Sequence, residues 1–143
     1  MLRLIHVLGA LLAVGGVLTT DFLLFIVDVK PKFAVYMSKV APVISTQIWI
    51  GLVVLGISGV FIFQGRPWLT DNTFFQLKKV LIVLIIINGV FLNVYITPKF
   101  QSLASEWADK TERVEKFRKI AMVSGFISFV SWVGVVILGV LFI

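Results

Sequence analysis

His6 and Asp21 are the only ionisable side chains between Arg3 and Asp28, and the run around them is otherwise apolar. An ionisable group inside a bilayer is costly, which makes it a candidate functional site. The imidazole of His6 could bind haem iron as an axial ligand, with Gly9 and Gly16 leaving room for a flat macrocycle. Lys78 and Lys79 stand at the same end of the molecule and could pair with haem propionates. Each has a plainer reading. His6 could be an interfacial histidine bonded to a backbone carbonyl or a lipid headgroup. The residues alone favour that, because one histidine cannot supply two axial ligands. The two lysines could snorkel to lipid phosphates.

Asp21 could hold a proton or a cation. If the helices alternate in direction, Gln47, Asn93 and Ser124 fall at a similar depth. Together the four form a polar layer, with Thr19, Thr20 and Ser45 nearby. The plainer reading is a carboxylate close to the interface, capped by side-chain donors or by Lys30, about 10 Å deep and within reach of water. No catalytic residue is expected. A Ser/His/Asp triad fails because His6 and Asp21 lie roughly 22 Å apart along one helix at 1.5 Å per residue. The sequence holds no phosphate loop, zinc motif or paired carboxylates, and the absence of cysteine excludes disulfides and thiolate metal sites.

These residues need elements to position them. The chain is 59% hydrophobic, with a mean hydropathy of +1.08. That is more than one small water-soluble core can hide. Charged residues are absent from 40–65, 80–98 and 120–143, and each interval is long enough for a bilayer, which takes roughly 20 residues. The expected fold is all-α: a single domain formed by an antiparallel four-helix transmembrane bundle, with helices at about 2–29, 40–64, 74–97 and 117–143. Pro98 is expected to stop the third. The first apolar run is too long for a cleavable signal peptide and reads as a retained helix.

Segment 99–116 is expected to be a cytoplasmic helical hairpin. Phe100, Leu103, Trp107, Val114 and Phe117 recur at near-heptad spacing. Asp109–Arg113, Glu112–Lys116 and Glu115–Lys119 are acid-before-base pairs four apart. The first and third loops carry nine Lys and Arg against four on the other side. This predicts loops one and three in the cytoplasm and both termini outside. The same placement accounts for the net charge of +6 through lipid headgroups, so no nucleic-acid partner is expected.

Within lipid, helices associate through small and polar residues. His6, Gly9, Ala13, Gly16 and Thr20 form such a stripe on helix one. Gln47, Gly51 and Ser58 form one on helix two, and Ser124, Ser128 and Ser131 on helix four. Gly89 and Asn93 serve helix three, with Asn88 turned away from Asn93. The helix-one stripe could build the bundle or a two-fold interface, and a homodimer is expected.

The segments Leu4-Ile5-His6-Val7-Leu8-Gly9, Gly15-Gly16 and Asp21-Phe22 resemble the first helix of small prokaryotic membrane proteins. Lys78-Lys79-Val80-Leu81, Asn88-Gly89, Thr97-Pro98 and the Ser124-Gly125 to Ser131-Trp132 helix extend the likeness. The set resembles four-helix proteins distantly similar to the copper-resistance D and HemJ-type (protoporphyrinogen oxidase) groups. The resemblance implies an inner-membrane location and a b-type haem or copper ligand at His6, with Lys78 or Lys79 assisting. This chain lacks the further histidines of those groups, so oxidase and copper-transport activities do not carry over. Three readings stand: a haem protein with a redox or haem-handling role through His6, a small ion, proton or solute transporter or channel using Asp21, and an accessory subunit without its own chemistry.

Overall fold

The computed structural model describes residues 1–141. Five α-helices follow one another: α1 (Leu2–Val29), α2 (Ala34–Gln64), α3 (Thr73–Phe91), α4 (Thr97–Leu103) and α5 (Glu112–Val140). A π-helical turn, Leu92–Ile96, runs α3 into α4, and a 3-10 segment, Ala104–Asp109, leads toward α5. Four helical stretches are long and apolar enough to cross a bilayer: Leu2–Val29, Pro31–Gln64, Thr73–Asp109 and Glu112–Val140. The protein is a small multi-pass membrane protein built as an antiparallel four-helix bundle, and no strand occurs among the described residues. The expected end of the last helix at Ile143 lies outside the described residues.

The helices run further than their apolar cores alone suggest. At 1.5 Å per residue, the 31 residues of α2 span roughly 46 Å, against about 30 Å of hydrocarbon. The surplus builds a cap at the end bearing the first and third loops. There Val27, Ala34, Met37, Ile96, Phe100, Leu103, Ala104, Trp107, Val114 and Phe117 form one buried cluster. Trp107 stands edge-on to Phe100 (centroids 5.2 Å, 81°) and to Phe117 (6.2 Å, 83°). This cap draws α2 back to Ala34 and α5 back to Glu112, earlier than 40 and 117, because residues such as Met37 and Val114 have a core to bury in.

Two prolines are absorbed rather than obeyed. Pro42 lies inside α2 and cannot donate to the carbonyl of Ser38. Gln101 Nε2 of α4 donates to that carbonyl instead, at 3.2 Å. Pro98 does not stop the third helix. The π turn just before it widens the helix, and Thr97 N–H reaches the Leu92 carbonyl five residues back. The chain finally turns at Lys110, the one described non-glycine residue with positive φ (46°). Thr111 then caps α5 by accepting from Val114 N–H.

The bundle consists of two helix pairs. In the first, α1 and α2 touch backbone to backbone. A Cβ added at Gly51 would meet Ala13 N at 2.7 Å, Gly9 O at 2.8 Å and Ala13 Cβ at 2.9 Å. One added at Gly16 would lie 2.6 Å from Ile48 Cγ1. The helix-one stripe is therefore spent inside the chain. The second pair, α3 and α5, meets through side chains set into glycine notches, with Leu81 against Gly134 and Lys78 against Gly139. At mid-depth Ala13 and Val17 of α1, Ile85 of α3 and Trp132 of α5 form a second buried cluster between the pairs.

Candidate functional site

Two polar groups lie on either side of that mid-depth cluster. Toward the chain termini, His6 of α1 bonds through Nδ1 to Ser58 Oγ of α2 at 2.8 Å. Ser58 Oγ also approaches the Val54 carbonyl at 2.6 Å and the Leu55 carbonyl at 3.3 Å. A hydroxyl has one proton, and two oxygens 2.6 Å apart without one between them would repel. The serine proton therefore goes to Val54, and Nδ1–H of His6 donates to Ser58. This places the proton on Nδ1, and the Leu55 carbonyl also hydrogen-bonds the ring. Gly59 leaves room for the ring, since a Cβ there would sit 3.4 Å from Cε1.

The paired lysines diverge. Lys78 is half-buried, with Nζ 3.5 Å from where a Cβ on Gly139 would stand, and it lies within electrostatic reach of His6. Lys79 is exposed and sits over the Phe75 ring, 5.4 Å from its centroid. Only Lys78 shares an environment with the histidine.

On the other side of the cluster, Asp21 is half-buried on α1 and faces α5. Its Oδ1 would be 3.7 Å from a Cβ on Gly125. No hydrogen bond or ion pair joins Asp21 to any described residue. The residues grouped with it are partnered in other directions. Gln47 Nε2 donates to the Leu12 carbonyl at 3.2 Å. Ser45 Oγ donates to Asn93 Oδ1 at 3.2 Å. Ser124 Oγ donates to Asn88 Oδ1 at 2.7 Å, while Asn88 Nδ2 donates to the Ser124 carbonyl at 3.0 Å. Thr19 and Thr20 bond back to the carbonyls of Gly15 and Gly16. Asp28, two turns on, pairs with Arg118 at 3.7 Å, and Arg118 reaches Glu115 at 3.6 Å.

The polar residues thus form separate bridges between helices, and the carboxylate of Asp21 stands apart from all of them. Ser58, Asn88 and Gly125 complete these arrangements. Ser58 could have been paired with His6 from depth, because both lie within two turns of one end of the bundle. Gly125 could have been placed opposite Asp21 by the same counting. Nothing in the sequence tells that Asn88, and not Asn93, takes Ser124.

Two grooves open on the outside of the bundle. One, of about 460 Å³, is lined by Leu12, Val43, Thr46, Gln47 and Ile50. The other, of about 450 Å³, lies between α3 and α5 around Asn88, Phe91, Ile120 and Ser124. Neither opens onto His6 or Asp21. Among the described residues, no three or more His, Cys, Asp or Glu side chains converge so as to hold a metal ion. No family model, curated protein or solved structure matches the chain.

Proposed function

We propose that this membrane protein takes up and releases a proton at Asp21, at the seam between its two helix pairs. The observation that carries the reading is the isolation of that carboxylate. It faces Gly125 across the seam without a donor or cation from the described residues. A charge in such surroundings needs a counter-charge from elsewhere. A proton needs one carboxylate. A dehydrated divalent ion needs several oxygen ligands, and no second His, Asp or Glu is paired with Asp21. The cluster of Ala13, Val17, Ile85 and Trp132 closes the seam on the far side. Exchange therefore starts from the end bearing Lys30, which the excess of basic residues assigns to the cytoplasm on this reading. Passage across the membrane requires the pairs to rock against each other, and a standing pore is not the form this takes.

A hydrophobic carbodiimide, which attacks a protonated carboxyl from the lipid phase, tests the reading. Treatment in membranes, followed by peptide mass spectrometry, should modify Asp21 and leave Asp28 unmodified. Asp21 left unmodified under conditions that label other membrane carboxyls would count against it.

A second reading rests on His6. Donation from Nδ1 to Ser58 keeps the proton off Nε2, which is the tautomer a haem-ligating histidine needs. Lys78 is the cation within reach of a propionate. The likeness to the copper-resistance D and HemJ-type groups points the same way. On this reading His6 would hold haem b as one axial ligand, and the haem would supply one-electron chemistry. An absorption spectrum with added haemin should then show a Soret band that His6→Ala abolishes. A colourless preparation with and without haemin removes the reading and leaves the first untouched.

A further inference from the structure

We infer that the groove on the outer face of α2 is the contact surface for a second copy of this chain, with Gln47 of one copy hydrogen-bonded to Gln47 of the other. Gln47 lies near the middle of α2, about 20 Å from its start at Ala34, yet its side chain is exposed. Outside the bundle at this depth there is hydrocarbon, where a primary amide has no water to bond. The amide has two N–H donors and an acceptor oxygen. One donor is used on the Leu12 carbonyl, so a donor and the oxygen are left facing out. Neighbouring Thr46 is exposed as well, and its hydroxyl proton goes to the Pro42 carbonyl, leaving its oxygen able to accept.

The surroundings suit a helix partner. Val43, Thr46, Gln47 and Ile50 follow one another at spacings of three, one and three along α2. That is the spacing of a helix-packing face, with β-branched rims that lose little side-chain freedom on docking. Val43 is 69% exposed and Ile50 54% exposed.

The identity of the occupant follows from depth. Copies inserted with the same topology carry Gln47 at the same level. Any two-fold contact through this face, with its axis along the membrane normal, therefore sets Gln47 against Gln47. The free donor of each amide then meets the free oxygen of the other, and the pair is self-complementary. A different protein would need a matching donor and acceptor at that same level. The inference is independent of the role of Asp21 or His6. It also moves the two-fold contact away from the small residues of α1, which pack inside the chain.

The test uses the full chain in lipid vesicles. Dimerisation is read by energy transfer between labelled copies as the lipid-to-protein ratio rises. The unsubstituted chain should dimerise, and Gln47→Leu should weaken the dimer about tenfold, as expected for loss of an interhelical hydrogen-bonded pair. Since the chain has no cysteine, Val43→Cys gives a second readout that keeps Gln47 intact. It should form an intermolecular disulfide under mild oxidation, whereas Phe126→Cys, exposed on α5, should not. A monomeric unsubstituted chain at every ratio, a dimer unchanged by Gln47→Leu, or cross-linking through Phe126→Cys alone would overturn the inference. So would retention of a different stoichiometric protein through Gln47 in place of self-association.

Discussion

The two helix pairs of this bundle are held in different ways. In α1–α2 the backbones cross at Gly9, Ala13 and Gly51, and the Ile48 side chain fills the notch at Gly16. In α3–α5 side chains lie in glycine notches, and Asn88 and Ser124 exchange two hydrogen bonds. The first arrangement is stiff, since backbone atoms cannot turn aside to make room. The second can adjust by rotamer changes. A bundle with one rigid pair and one adaptable pair, joined by an aromatic cap, has a natural line of movement at the seam, where Asp21 sits.

The two pairs should respond unequally to substitution. The largest effect should come from the joint. Trp107→Ala removes the centre of the cap and should destabilise the protein by about 3–5 kcal/mol, read by thermal unfolding in detergent. An effect below about 1 kcal/mol would show that the pairs hold together without the cap. Next comes the rigid pair. Gly51→Ala places a methyl against Ala13 N and Gly9 O, and should cost about 1–3 kcal/mol in the same assay. Removal of the polar bridge in the second pair, by Asn88→Ala, should cost roughly 1 kcal/mol.

Gly134→Ala should cost least, within about 0.5 kcal/mol. The new methyl meets only Leu81 Cδ1, at 2.8 Å, and that is the far end of a flexible side chain. Equal costs at Gly51 and Gly134 would erase the contrast between the pairs.

The spans were legible because intervals without charge are long and few, as from Lys119 onward. The stripe of Gly9, Ala13 and Gly16 was legible as a packing face because 3,4 spacing puts those residues on one side of a helix. Which helix it would meet was not, since a small-residue face suits an internal neighbour and a second copy equally. The passage through Pro98 was hidden for another reason. A proline reads as a stop unless the chain around it can widen the helix, and that depends on the cap contacts of Phe100 and Leu103. The polar residues were legible as candidates, but the directions in which they turn were not. Counting residues placed Asp21, Gln47, Asn93 and Ser124 at comparable levels, and only the rotation of each helix decided that Gln47 turns to Leu12, Asn93 to Ser45 and Ser124 to Asn88.

Asp21 is the proposed proton carrier at the seam. Its most direct test is proton flux into vesicles containing the protein, driven by an imposed potential and followed with an internal pH dye. The unsubstituted chain and Asp21→Glu should both carry protons. Asp21→Asn, equal in size but unable to take up the charge, should abolish the flux while the protein stays folded. Flux that persists unchanged in Asp21→Asn, or none from the unsubstituted chain at any potential, would contradict the account.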